Sequence, residues 1–245
     1  MRSFLRFICT AFALLGVIFA VRAQQTINFA SKDGLTITAD LYMVNIHRPY
    51  ILLLHQAGYS RGEYREIAPR LTRLGYNCLA IDQRSGYEVN FVKNETAKLA
   101  KEKGLPINYI DAQQDIEAAI DYIKSKTDLP IVIFGSSYSA SLGLVVAATN
   151  LRVRAVVAFS PGEYFDQDNF IRNKIAGLSV PVLVLSSKEE CEVVNELCEE
   201  VKPNLKTFFC PSSSGSHGSK ALWKSNPSSK DYWIAITMFF SKIDK

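Results

Sequence analysis

Five apolar runs, YILLL, NCLAI, PIVIF, AVVAF and VPVLVL, recur along the chain, and each ends abruptly in small or polar residues. A strand that is apolar on both faces has to be covered on both faces. That is the condition of a parallel sheet held between two layers of helix. Segments of helical periodicity lie between the runs: EYREIAPRLTRLG, NYIDAQQDIEAAIDYIKSK, YSASLGLVVAATN, EECEVVNELCEEVK and a closing DYWIAITMFFSKI. In the second of these, Ile110, Ile116, Ala119, Ile120 and Ile123 form the apolar face. Pro69 inside the first implies a kink or a late helix start. TINFAS and LTITADLYM alternate around Lys-Asp-Gly, the pattern of an opening hairpin, and LKTFFCP reads as a further strand. The residues between Arg84 and Pro106 read as a loop with a short helix, and Gly162 to Ser179 as a polar excursion too short for a large lid. The expected fold is α/β: a mostly parallel central sheet, an N-terminal antiparallel hairpin and helices on both faces.

The first residues have a different character. MRSFLRF carries two arginines, ICTAFALLGVIFA is apolar, and Val-Arg-Ala precedes Gln24. This is the layout of a signal peptide, residues 1–23, and implies a secreted or periplasmic protein. The apolar run is shorter than the roughly 20 residues of a membrane span. The remainder, residues 24–245, suits a single α/β domain. At 48% apolar and 21% charged the chain is globular in composition. Its formal charge of +4 includes Arg2, Arg6 and Arg22 of the signal, so the rest is near neutral. Nothing here points to nucleic acid as a partner. No zinc-type spacing of cysteines or histidines occurs, and no metal or organic cofactor is expected. Cys78, Cys191, Cys198 and Cys210 remain after the signal. Cys191 and Cys210 would both fall at the carboxyl ends of neighbouring strands and could pair, with Cys191–Cys198 as the rival. Asn94-Glu-Thr fits a glycosylation sequon, a short match that arises often by chance.

The run PIVIF leads directly into Gly135-Ser136-Ser137-Tyr138-Ser139, ahead of a helical segment. A serine on a tight strand-to-helix turn needs small residues two before and two after it. Only Ser137 has them, in Gly135 and Ser139. A hydroxyl becomes a useful nucleophile only with a base, and the base has to be oriented by a carboxylate. His217 is the one histidine after Ser137, in the small-residue loop SSSGSHGS. Glu190 follows the strand VPVLVL and is the preferred acid, with Glu189 second and Asp166 and Asp168 behind them. An oxyanion site would use the backbone N–H of Tyr138 and one from the loop after YILLL, where Gln56 is preferred over Ala57. His55 is expected to make a structural hydrogen bond and Asp82 to shape a loop.

Taken together, LLLHQAG, GSSYSAS, PVLVLSSKEE and GSHG resemble the α/β-hydrolases, most closely the dienelactone-hydrolase-like and carboxylesterase branch, over nearly all of residues 24–245. In the corresponding phrases of that family Ser187 holds the place of a glycine and Glu190 that of an aspartate. Ser139 stands for the second glycine of the elbow, and Gln56 for the glycine after the histidine. The resemblance implies a serine hydrolase acting on a small-molecule carboxylic ester through Ser137, His217 and Glu190. Peptide or thioester bonds use the same machinery. The contrasting possibility is a non-catalytic ligand-binding protein on the same fold.

Overall fold

The computed structural model describes residues 24–244, and the segment read as an export signal lies outside them. The chain opens with the expected hairpin, β1 (Gln25–Ala30) and β2 (Thr36–Tyr42). Then follow β3 (Tyr50–Leu54), α1 (Ala68–Arg73) and β4 (Asn77–Ile81). A small excursion, β5 (Glu88–Val89), β6 (Val92–Lys93) and α2 (Glu95–Glu102), leads to α3 (Gln113–Lys124). The second half runs β7 (Ile131–Ser136), α4 (Tyr138–Thr149), β8 (Val153–Phe159), α5 (Phe170–Ile175), β9 (Val182–Leu185), α6 (Cys191–Leu197), β10 (Lys206–Phe209) and α7 (Ser229–Ile243).

Eight strands form one sheet in the order β1-β2-β4-β3-β7-β8-β9-β10. β2 is antiparallel to both β1 and β4, and every pair from β4 to β10 is parallel. The apolar runs alternate between two cores. Leu52, Leu54, Ile133 and Val184 face the layer of α3 and α4 with Ile116, Ile120 and Leu142. Ile51, Leu53, Phe134 and Leu185 face α1 and α7 with Leu71, Trp233 and Ile236. Burying each such side chain is worth about 1.5–3 kcal/mol, which is why runs apolar on both faces settle at the centre of the sheet. α4 has no polar face because it is buried almost all round.

Three local departures from the sequence reading have clear causes. Pro69 sits in the first turn of α1, so that helix starts late, and a short 3-10 helix, Arg61–Tyr64, precedes it. Ile110 lies in another such turn, Tyr109–Ala112, and is exposed instead of belonging to the apolar face of α3. Asn94 is buried and caps α2, accepting from Ala97 N–H at 2.7 Å and donating to the Gln83 carbonyl at 2.9 Å. Its amide nitrogen is therefore committed inside the fold and closed to glycosylation there. Asp82 shapes its loop as expected, pairing with Arg61 at 2.6 Å and accepting from Glu95 N–H at 2.9 Å. Among the described residues no helix is long and apolar enough to cross a membrane.

Candidate active site

The sheet reverses its direction of growth between β3 and β7: β4 lies to one side of this pair, and β8, β9 and β10 to the other. Leu54 pairs with Gly135, and Ser136 with Phe159, so the carboxyl ends of these strands are level. Loops leaving neighbouring strands in opposite directions open a crevice at this point.

Ser137 is the single residue between β7 and α4. Its backbone is at φ 60°, ψ −128°, a conformation that L-residues avoid. The turn is tight enough that a Cβ on Gly135 would lie 2.5 Å from the Ala140 Cα. Ser139, where a second glycine was the familiar choice, turns its hydroxyl back onto the Leu54 and Ser136 carbonyls at 2.8 and 2.9 Å. A small side chain is accommodated there because its polar atom is satisfied.

The loops after β9 and β10 bring the other two residues to this point. His217 Nε2 lies 2.9 Å from Ser137 Oγ, and His217 Nδ1 is hydrogen-bonded to Glu190 Oε1. Nδ1–H donates to the carboxylate, leaving Nε2 as the acceptor for the serine proton. Glu190 Oε2 accepts from the Ser160 hydroxyl at 2.7 Å and from Ser187 N–H at 3.0 Å. Burial pushes the Glu190 carboxyl up, but the bonds from His217, Ser160 and Ser187 outweigh it and hold it down at about 2. Glu189, Asp166 and Asp168 are exposed and make no bond to His217. Ser160, which also accepts from Gly218 N–H at 3.0 Å, ties the acid to the histidine loop. Only the tertiary contact distinguishes it from any serine at a strand end. A disulfide joins Cys191, next to Glu190, to Cys210 at the end of β10, whereas Cys78 and Cys198 are free and buried.

The structure corrects the expectation that the Gln56 N–H is free to act as an oxyanion donor. Gln56 N–H points inward and donates to Glu63 Oε2 at 2.8 Å, so it is not available to a substrate. The N–H groups of Ala57 and Tyr138 form no hydrogen bond among the described residues. Of the two residues considered in the loop after β3, Ala57 is thus the one whose N–H is uncommitted. His55 is structural: its Nδ1 bonds the Gln56 carbonyl at 2.9 Å and its Nε2 accepts from Gln83 N–H at 3.0 Å. Burial pushes its pKa down to about 4.

A cavity of about 650 Å³ opens beside the crevice, lined by Ile107, Tyr109, Ile110, Tyr164, Phe165 and Phe170 together with the polar Ser85, Asn108, Asp166 and Gln167. No lysine or arginine lines it. Tyr109 stacks on Tyr138, the residue after Ser137, with ring centres 4.5 Å apart. Tyr164 connects this cavity to the crevice. Burial raises its phenol pKa, and the neighbouring Ser137 hydroxyl pulls it partly back. Among the described residues no group of three or more His, Cys, Asp or Glu side chains is arranged to hold a metal ion.

No protein-family model matches the chain, and no curated protein does either. Solved structures do. A dienelactone hydrolase from Anabaena variabilis superposes with a TM-score of 0.69 at 17% identity, over 90% of this chain and 97% of the other. An esterase of Pyrococcus furiosus gives 0.64 at 16% identity, over 90% of each chain. The esterase domain of a Rhodothermus marinus protein gives 0.61 at 15% identity, over 91% and 98%. The chain has the α/β-hydrolase fold, in its dienelactone-hydrolase-like form.

Proposed function

We propose that this protein is a serine hydrolase that cleaves carboxylic esters. The observation that carries the reading is the unbroken hydrogen-bonded line Ser137–His217–Glu190 at the carboxyl edge of the sheet, beside two uncommitted N–H groups. Ser137 Oγ attacks the ester carbonyl carbon while its proton passes to His217 Nε2. Glu190 accepts from Nδ1–H and stabilises the imidazolium. Tyr138 and Ala57 N–H groups receive the oxyanion, and the positive end of α4 adds to them. His217 then hands the proton to the departing alcohol, leaving an acyl group on Ser137. Water deprotonated by His217 attacks that acyl group and frees the serine.

The cavity beside Tyr164 is the candidate acyl pocket. Its aromatic and aliphatic walls and the absence of a lining cation favour an uncharged, small or medium acyl group. Export is proposed for the amino-terminal segment. The Cys191–Cys210 bridge is in keeping with an oxidising compartment. Hydrolysis of p-nitrophenyl acetate, butyrate and palmitate tests the reading. We expect turnover of the two shorter esters and a loss of about 10⁴-fold or more in Ser137→Ala. Full activity in that variant, or a strong preference for palmitate, would count against it. Binding of esters by folded protein without any product would point to a ligand-binding protein instead.

A further inference from the structure

A second carboxylate, Glu63, lies fully buried behind the crevice and takes no part in the Ser137–His217–Glu190 line. Among the described residues it has no cationic partner. Its Oε2 accepts from Gln56 N–H at 2.8 Å, and its Oε1 accepts from the hydroxyls of Ser136 at 2.8 Å and Ser219 at 2.6 Å. Gln56 belongs to the loop after β3, Ser136 immediately precedes Ser137, and Ser219 lies two residues beyond His217. One carboxylate thus joins the three loops that carry the oxyanion donor, the nucleophile and the base.

The surroundings make this junction demanding. Ser136 Oγ also accepts from Ser219 N–H at 2.8 Å, so its own proton is directed at Glu63. Gly218 is at φ +71°, and a Cβ there would meet Ser136 Oγ at 2.6 Å and Gln56 Oε1 at 2.8 Å. A buried anion without a counter-ion costs several kcal/mol unless donors surround it, and an apolar side chain would hold the loops together more cheaply. Burial pushes the Glu63 carboxyl up, and the bonds from Ser219, Gln56 N–H and Ser136 pull it part of the way back. In its ionised form it adds direction, since it then accepts from three donors at once and offers none.

That direction reaches the oxyanion site through Gln56, whose N–H and carbonyl lie in successive peptide planes joined at its Cα, the carbonyl also accepting from Tyr59 N–H at 3.2 Å. Gln56 N–H is fixed inward by Glu63, and the Gln56 carbonyl is fixed by His55 Nδ1 at 2.9 Å. In a trans peptide the next N–H, that of Ala57, points opposite to that carbonyl. It is therefore turned outward without any contact of its own.

We propose that Glu63 is a positioning residue that sets the orientation of the Ala57 N–H for the oxyanion and locks it to the elbow and the histidine loop. This rests on the serine-hydrolase reading above. The test compares wild type, Glu63→Gln and Ser219→Ala by three measures: fluorophosphonate labelling rate, ester kinetics, and inhibition by an alkyl trifluoromethyl ketone, whose adduct carries the oxyanion. Circular dichroism measures the folded fraction. Glutamine keeps the volume but sets an NH₂ against donors. We expect its kcat, labelling rate and ketone affinity to fall together by about 10- to 100-fold per folded molecule, with KM within about 3-fold. Should Glu63→Gln not fold, Ser219→Ala, which removes one donor only, is expected to lower kcat and ketone affinity a few-fold at unchanged KM. A folded variant with wild-type kcat and ketone affinity would overturn the proposal and leave the serine-hydrolase reading intact. A folded wild type that the fluorophosphonate does not label would overturn both.

Discussion

Ser137 carries a conformational cost. Holding a serine at φ 60° is worth about 1–3 kcal/mol, and the β7–α4 junction imposes it. Glycine adopts that region freely. Ser137→Gly is therefore expected to raise the thermal unfolding midpoint while abolishing hydrolysis; a lowered midpoint would mean that the turn is not strained in the way described. His55 has its pKa lowered to about 4, so it stays neutral in the folded protein. As pH drops below the ordinary imidazole value of about 6.5, the unfolded chain takes up a proton that the folded one refuses. The contribution of His55 to stability then falls through this window, by roughly 3 kcal/mol once pH reaches about 4. Glu190, held at about 2, adds stability that is present at neutral pH and lost further into acid. Burial raises Asp82 and Asp115 to about 6, which adds stability as pH falls through the same window. The His55 effect is therefore read from the difference in urea midpoint between wild type and His55→Asn from pH 7 to pH 4; a difference that does not change with pH would contradict a neutral His55. Ser137 was legible in the sequence because its neighbours Gly135 and Ser139 are small. Glu63 was not, because a glutamate in Ser-Arg-Gly-Glu-Tyr looks like any solvated turn residue until Gln56, Ser136 and Ser219 close around it.

At the scale of elements, the junctions matter more than the elements themselves. β3, β7, β8 and β9 each end within one hydrogen-bonded row, and the candidate site residues lie in the loops that follow these strands and β10. The apolar runs and their polar breaks made these strands and their ends readable. The β5–β6 hairpin was hidden, since its strands are two residues each and its turn uses Asn90 and Phe91, both at positive φ. Phenylalanine gives no turn signal. The preference for Gln56 over Ala57 failed for a related reason: spacing locates a loop but not the rotation of its peptide planes. The disulfide lies at another junction, bridging the start of α6 to the end of β10 across 19 residues. A loop of that size is worth about 3 kcal/mol by closure entropy. Reduction or Cys191→Ala is expected to lower stability by about that amount. Finding Cys191 and Cys210 as free thiols in oxidised protein would contradict the pairing.

The molecule as a whole brings together residues far apart in sequence. Ser137, His217, Glu190 and Ala57 come from four separate loops, and the level ends of the parallel strands make them neighbours. Two cores, one on each face of the sheet, keep those ends in register. The order serine, carboxylate, histidine along the chain could be read from residue types and strand ends, whereas the cavity beside Tyr164 depends on turns that only the folded chain reveals. The most direct test of the account is covalent labelling of the protein with a fluorophosphonate, followed by peptide mapping. The account predicts one modified residue, Ser137, with labelling lost in Ser137→Ala and strongly reduced in His217→Ala. A folded protein that is not labelled, or is labelled at another serine, would contradict it.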